Sequence, residues 1–194
     1  MSRRLPLTYY RQTDVVALAR DLLGKVLFTR VDGQTTGVII TETEAYNGIV
    51  DRASHAFGGR RTTRTEVMYS RGGVSYVYLC YGIHYLFNIV TGEKDVPHAI
   101  LIRGGIPIEG QRIMTERRRL PESRSNAPLS GPGILSKAMG IDKALNALPL
   151  NGPALWLEDH SIVLPETSVV SAPRIGVDYA GEDALLPYRF VASL

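Results

Sequence analysis

The spacing of apolar residues predicts three helices. In "TDVVALARDLLG" apolar side chains recur every three or four residues, and Thr13 and Gly24 are suited to be the N-cap and the stop signal. The segments "IEGQRIMTERRRL" and "GPGILSKAMG" also have helical patterns. The apolar face of the first helix consists of Val15, Leu18, Ala19 and Leu22.

Most of the remaining pattern predicts strands joined as hairpins. "KVLFTRV" and "QTTGVIITETEAY" flank Asp32-Gly33, a dipeptide typical of a two-residue β-turn. Because hairpins outnumber alternating strand and helix units, we expect an α+β fold around a mostly antiparallel sheet. Further strands are predicted at residues 74–80, 84–90, 98–104, 154–159, 161–165 and 168–177.

The strand "VIITETEAY" ends with two carboxylates. Same-face neighbours on a strand lie roughly 6.6 Å apart, so these carboxylates can sense each other without sharing a proton. For Glu42 we favour the simpler interpretation, a strand end that emerges into solvent. Glu44, which directly precedes Ala45-Tyr46, is the stronger candidate for chemistry. Strict alternation places four side chains on one face: Ile40, Glu42, Glu44 and Tyr46.

The stretch "SYVYLCYGIHY" holds four of the ten tyrosines. Alternation puts Tyr76 and Tyr78 on one sheet face, where flat rings with polar tips suit a pocket that is half dry and half wet. Tyr81-Gly82 is predicted to be the tip of a tight hairpin. A ring on an exposed tip buries nothing in its own domain, so we expect it to enter another molecule, and a base stack consists of gaps between flat rings.

Composition and charge narrow the classes of protein. The chain has 194 residues, 44% of them hydrophobic, which is enough for one well-cored domain. Of its 22 basic residues 18 are arginines, the side chain that grips phosphate best. Two solvated faces remain the alternative, so the charge pattern by itself is weak evidence for nucleic acid. The arginines cluster at Arg60, Arg61, Arg64 and Arg71, and again at Arg112, Arg117, Arg118, Arg119 and Arg124.

Several features exclude other classes. No apolar run approaches the ~18 residues of a membrane helix, and the start of the chain lacks a signal-peptide core, so we expect no membrane partner and a cytoplasmic location. The single Cys80 lies in an apolar run and is interpreted as a core residue. The histidines lack metal-ligand spacing, and neither a zinc-deaminase motif nor a P-loop occurs, so we expect no metal and no cofactor. "SGPGILSKAMGID" is interpreted as a helix whose N-terminus can accept a phosphate.

Four blocks in this order, "ITETEAY", "SHAFGGRRTTR", "SYVYLCYGIHYLFN" and "ILIRGG", resemble the alkyladenine (3-methyladenine) DNA glycosylase family. The likeness runs from "ARDLLGKVL" through "SGPGILSKAMGID" to "PRIGVDYAG" and "YRFV", which is nearly the whole chain. It implies a single domain over residues 1–194 with a curved sheet, flanking helices and a protruding β-hairpin. Thr63 and Thr65 depart from the Pro and Asn that members usually carry, and Ile83 replaces a common Met.

The resemblance also implies the catalytic residues. Glu44 matches the glutamate that activates water, and Arg103 matches the arginine that helps to place this water. His55 is assigned both to the catalytic group and to the wall of the base pocket. No metal is implied.

The same resemblance implies how a base is held. Tyr46, His55 and Tyr78 match the side chains that enclose an extruded base, and Asn88 matches the asparagine that crowds the amino group of normal guanine. Tyr81 matches the side chain that fills the gap left in the duplex.

The implied activity is that of a monomeric, monofunctional DNA glycosylase acting on alkylated or deaminated purines in double-stranded DNA. A bifunctional glycosylase and lyase would need an amine in the pocket, and none of the four lysines falls within the matched motifs. A damage-binding protein without catalysis is the second alternative. The third is a glycoside hydrolase that uses Glu42 and Glu44 as its acid and base, which would leave Tyr81 unexplained.

Overall fold

Antiparallel hairpins dominate the computed structural model, which describes residues 3–121, 123 and 127–193. Arg124, assigned above to the second arginine cluster, lies outside the described residues. The helices are α1 (Val15–Asp21), α2 (Gln111–Arg118) and α3 (Pro132–Met139). The strands are β1 (Arg3–Arg4), β2 (Val26–Val31), β3 (Gln34–Tyr46), β4 (Val74–Cys80), β5 (His84–Thr91), β6 (His98–Glu109), β7 (Leu129–Ser130), β8 (Leu155–Asp159), β9 (Val169–Ala172) and β10 (Arg189–Ala192). Short 3₁₀ segments span Leu7–Arg11, Gly48–Val50, Phe57–Gly59, Glu66–Tyr69, Lys143–Leu145, Glu166–Ser168 and Asp178–Leu185.

The ten strands of the described residues form one curled antiparallel sheet around the long strand β3. The order along the sheet is β1-β8-β2-β3-β6-β5-β4. One edge of β3 carries β6, and the other edge is shared between β2 at its start and β10 at Glu42–Glu44. The main core, between α1, α3 and the sheet, contains Leu18, Ile40, Phe87 and Ile100. The predicted α+β fold and the Asp32-Gly33 hairpin are confirmed.

Helix α1 is capped one residue later than predicted. The Asp14 carboxylate accepts hydrogen bonds from the backbone N–H groups of Val16 and Ala17 at 3.0 and 2.9 Å. The prediction that Thr13 is the N-cap was therefore wrong, and the helix ends at Asp21, before Gly24. Asp is as good an N-cap as Thr, so the pattern alone did not distinguish them.

Two of the predicted strands around residues 161–177 were wrong in whole or in part. Residues 161–165 have no regular structure, because an Asx turn in which Ser161 N–H donates to Asp159 ends β8, and Pro165 follows at once. The segment 168–177 is a strand only over Val169–Ala172, since Pro173 ends the hydrogen-bonded ladder. The irregular backbone beyond Pro173 is free to turn toward the face of β3 that carries Glu44.

A β-bulge in β3 changes the predicted faces of this strand. Against β6, the register shifts between Ile40 and Glu42 and again between Glu42 and Thr43. At the first shift Thr41 is an extra residue of β3, and at the second Arg103 is an extra residue of β6. Ile40 lies in the main core together with Ala45, whereas the two glutamates do not. The prediction that Ile40 shares a face with these glutamates was therefore wrong. Bulges redirect side chains in this way, and here the bulge keeps the apolar residues inside while the carboxylates face the other side.

Asp14→Ala should lower the free energy of unfolding by about 1 kcal/mol, because it leaves two backbone N–H groups of α1 without their acceptor. Thr13→Ala is the matched control and should change it by less than ~0.5 kcal/mol. Urea titration of both variants checks this. Equal losses in the two variants would contradict the assignment of the cap.

Candidate active site

A cavity of about 590 Å³ opens between the β4–β5 hairpin and the loops that follow β3 and β9. Its wall is largely apolar, with five tyrosines and a few polar side chains, which is the usual composition of a small-molecule site. The predicted residues that line it are Tyr46, His55, Tyr78, Tyr81, Asn88 and Arg103. Glu44 lies behind this wall, in contact with Tyr46 and Arg103, and its side chain is 0% exposed.

The Glu44 carboxylate is held from three sides. One oxygen accepts a hydrogen bond from the Tyr46 hydroxyl at 2.9 Å, and the other accepts one from the Ile175 N–H at 2.8 Å. Arg103 Nε lies 3.4 Å from the second oxygen. Burial raises the pKa of Glu44 above its ordinary value, while Arg103 and the two hydrogen bonds oppose this rise. An ionised carboxylate has about four acceptor positions, so these three contacts leave one position without a partner.

Glu42 does not emerge into solvent, and that prediction was wrong. Its carboxylate oxygen accepts hydrogen bonds from Arg103 Nε at 2.9 Å and from Arg189 Nη1 at 3.0 Å. Arg189 belongs to β10, which pairs with β3 directly opposite Glu44. Glu42 therefore holds the arginine that Glu44 needs, and both glutamates face the same cation.

Tyr46 is supported by a buried ion pair that sequence reasoning missed. The Arg174 guanidinium lies 4.9 Å from the centroid of the Tyr46 ring and donates to both oxygens of Asp51. Asp51 also accepts from the N–H groups of Asn47 and Ala53, at 2.9 and 3.0 Å, and so shapes the loop after β3. The only signal in the sequence was that Arg174 belongs to the matched block "PRIGVDYAG".

His55 is held in one tautomer. Its Nε2 lies 3.2 Å from Arg64 Nη2, and because guanidinium nitrogens only donate, Nε2 accepts. Its Nδ1–H therefore donates to the Tyr76 hydroxyl at 2.9 Å. Burial, together with Arg64 and Arg60, lowers the pKa of His55 to about 4. The imidazole is neutral at physiological pH.

The aromatic rings are arranged as the alternation of β4 predicts. The centroids of Tyr76 and Tyr78 lie 5.2 Å apart on one face of the sheet. The His55 ring meets Tyr78 edge to face at 4.8 Å. Asn88, paired with Tyr76 across the β4–β5 ladder, is buried and donates its amide N–H to the Tyr76 carbonyl at 3.1 Å. The polar end of Asn88 is thus fixed at the floor of the cavity.

Tyr81 forms the tip of the β4–β5 hairpin and is 91% exposed. Tyr81 and Gly82 both have positive φ, at 49° and 70°, and the Ile83 N–H donates to the Cys80 carbonyl at 3.0 Å, which closes the turn. A left-handed conformation costs a non-glycine residue free energy, so the turn holds its ring outward at some expense. Cys80 lines the cavity and is half-buried, so its predicted place in the core was wrong.

The arginine clusters separate into different roles. In the first, Arg61 is paired with Glu66 and Asp95, and Arg71 with Glu93. Arg60 and Arg64 form no ion pair within the described part of the chain. In the second, Arg112 pairs with Glu116 along α2, and Arg117 donates to the Ala138 carbonyl near the end of α3.

Thr65 is one of the two residues near His55 that differ from those usual in the family, and its side chain forms hydrogen bonds within its own loop. The buried Thr65 hydroxyl accepts from the Thr62 N–H at 2.8 Å and donates to the Arg60 carbonyl at 3.1 Å. Thr63 beside it is exposed. The loop thus closes on itself through a threonine where members usually carry Asn.

Neither a metal cluster nor a membrane helix is found in the described residues. No three of their His, Cys, Asp or Glu side chains come together as metal ligands. None of their helices is long and apolar enough to cross a membrane.

Comparison with known proteins gives consistent matches over nearly the whole chain. The family model described as methylpurine-DNA glycosylase (MPG) matches residues 8–193. A relative in Chlamydia abortus is 43% identical over 196 residues, covering 96% of this chain and 97% of its own. A Desulfitobacterium hafniense relative is 44% identical over 194 residues, covering 97% and 94%. Each of these relatives is named "Putative 3-methyladenine DNA glycosylase".

Arg174→Met should lower the free energy of unfolding by about 3–5 kcal/mol, because it leaves the Asp51 carboxylate buried without its cation. Arg71→Met removes an exposed pair instead and should cost less than about 1 kcal/mol. Chemical denaturation of both variants gives the comparison. Similar small losses of unfolding free energy in both variants would mean that the buried pair does not hold the loop after β3.

Proposed function

Because this chain belongs to the methylpurine-DNA glycosylase family, and is a DNA glycosylase, we propose that it is a monofunctional enzyme for alkylated and deaminated purines. It hydrolyses the N-glycosidic bond of a flipped-out 3-methyladenine, hypoxanthine or ethenoadenine and leaves an abasic site. The observation that carries the proposal is a buried glutamate, held by an arginine, directly behind a cavity lined by tyrosines.

A base inside a duplex is out of reach, so it has to be swung into the cavity at a cost of a few kcal/mol. Stacking on aromatic side chains returns about 1–3 kcal/mol per base. Tyr81 enters the duplex from the hairpin tip and fills the gap that the base leaves. The exposure of its ring and the outward turn at Tyr81-Gly82 support this role.

The pocket favours N-alkylated purines because their ring carries positive charge. Electron-rich tyrosine faces attract a cation more strongly than a neutral base. Tyr46, Tyr78 and neutral His55 form the walls. Asn88, whose amide is fixed on the Tyr76 carbonyl, crowds the amino group of guanine and so excludes this undamaged purine.

Glu44 acts as the general base. Its free acceptor position takes the proton of a water molecule whose oxygen attacks the sugar carbon. The carbon–nitrogen bond breaks as this happens, and its electron pair leaves with the purine. Arg103 and the Tyr46 hydroxyl keep Glu44 ionised and oriented. His55 contributes as an uncharged group, because its lowered pKa makes it a poor proton donor near neutral pH.

The alternatives find less support. None of the lysines lines the cavity within the described residues, which leaves a lyase without its amine. Glu42 is tied to Arg103 and Arg189 and is poorly placed as the acid of a glycoside hydrolase. A monomeric state, a cytoplasmic location, independence of metals and a phosphate contact at the start of α3 remain predictions.

The proposal is tested with duplexes that each carry one 3-methyladenine, hypoxanthine or ethenoadenine. We expect excision in excess EDTA, with strand breaks only after alkali treatment. Breaks before alkali would indicate a lyase, and binding without excision would indicate a damage-binding protein. A gel assay with purified protein distinguishes these outcomes.

Glu44→Gln should retain DNA binding and lose single-turnover excision by more than about a hundredfold, because an amide cannot take a proton. In the wild type, excision should fall as pH drops through the raised pKa of Glu44, above the ordinary value of about 4.3. His55→Gln should keep this acid limb, since the pKa of His55 lies at about 4. An acid limb that disappears in His55→Gln, or a Glu44→Gln rate within about tenfold of wild type, would remove Glu44 as the base.

Tyr81→Gly should separate stability from function. Glycine adopts a positive φ without penalty, so we expect the free energy of unfolding to stay the same or to rise by up to ~1 kcal/mol. The melting temperature should therefore not fall. Excision should fall most for a well-paired lesion and least in single-stranded DNA, where no gap has to be filled. Tyr81→Phe keeps the ring and should behave like wild type. A lower melting temperature with equal rate losses in all contexts would identify Tyr81 as a structural residue.

A further inference from the structure

Arg64 belongs to the exposed loop after Gly59, yet its guanidinium reaches the cavity that the proposed base would occupy. Its Cζ lies 4.7 Å from the centroid of the Tyr78 ring. Its Nη2 donates to His55 Nε2 over 3.2 Å. Arg64 is therefore bound by two of the three side chains proposed to enclose the base.

No carboxylate neutralises Arg64 within the described residues. Arg61, three residues earlier, is held by Glu66 at 2.7 Å and by Asp95 at 2.8 Å. Arg64 instead rests on an aromatic face and an imidazole nitrogen, which is the chemistry that would hold a cationic purine. Guanidinium is also planar and delocalised, and it stacks on aromatic rings as a base does.

We propose that Arg64 is a specificity-determining residue, a resident cation that takes the place of a cationic base until DNA binds. This inference rests on the proposed function. A backbone phosphate offers the guanidinium a bidentate, charged partner, which is a stronger attraction than a neutral tyrosine ring. Contact with a DNA strand therefore draws Arg64 out of the cavity and opens it.

Two consequences follow for recognition. A free purine nucleoside has to compete with Arg64 and brings no chain of phosphates to remove it, so the pocket discriminates against bases outside DNA. A cationic base is also repelled while Arg64 remains, since like charges would share one ring face. When Arg64 leaves, His55 Nε2 loses its donor.

The test uses 7-methylguanosine, whose base carries the charge of an alkylated purine, and guanosine, measured by calorimetry without DNA. Arg64→Gln should bind 7-methylguanosine roughly three- to thirtyfold more tightly than wild type does, with a smaller gain for guanosine. Arg60→Gln is the matched control, because Arg60 lies on the same loop without an ion pair in the described residues and does not line the cavity. Its affinity for 7-methylguanosine should change much less than that of Arg64→Gln, because Arg60 acts on the cavity only through the longer-range effect of its charge on His55.

Both variants should weaken binding to an undamaged duplex. In each, the slope of the logarithm of the binding constant against the logarithm of salt concentration should become shallower by about one. Affinity of Arg64→Gln for 7-methylguanosine equal to or below that of wild type would overturn the proposal, because Arg64 would then be a fixed part of the wall.

A second measurement decides the matter if nucleoside binding is too weak to detect. In protein labelled with ¹⁵N-histidine, an undamaged duplex should shift the His55 Nε2 resonance of wild type toward its position in Arg64→Gln. An unchanged resonance would show that DNA does not displace Arg64. Neither experiment requires excision, so a wild-type protein that removes no alkylated purine would refute the proposed function without bearing on Arg64.

Discussion

A carboxylate that is buried away from water stays ionised only if its surroundings supply what the water did, and this constraint organises the site around Glu44. Burial raises its pKa, and Arg103, the Ile175 N–H and the Tyr46 hydroxyl act against that rise. Arg103 is in turn held by Glu42, which also takes Arg189. The two glutamates of one strand thus differ, since Glu44 is the proposed general base and Glu42 positions the cation beside it.

The groups that meet at Glu44 come from distant parts of the chain. The curl of the sheet places β6 along one edge of β3 and β10 along the other, and the loop after β9 adds the Ile175 N–H. The buried pair of Arg174 and Asp51 ties that loop to the one after β3. A single ion pair therefore supports both the ring of Tyr46 and the backbone that orients Glu44.

Local pattern was enough to predict the hairpins and the shared face of Tyr76 and Tyr78, because these depend on neighbours a few residues apart. The resemblance supplied six of the residues that line the cavity. What neither provided was long-range pairing. Glu42 was interpreted as a strand end in solvent because its partners Arg103 and Arg189 are far away in sequence. The sequence did not predict the bulge either, since a bulge depends on how two strands pair and not on the composition of either strand.

Thr41 and Arg103 are each one residue more than a regular ladder between β3 and β6 requires. The effect of deleting one residue from β3 therefore depends on the position of that residue. Loss of Thr41 would remove the extra residue from β3, leave Arg103 as the extra residue of β6, and keep Glu44 on the cavity side. Loss of Thr43 would turn one of the two glutamates toward the core, because Glu42 and Glu44 would then be adjacent in the strand. A deletion in β3 is tolerable only where the strand already holds a surplus residue.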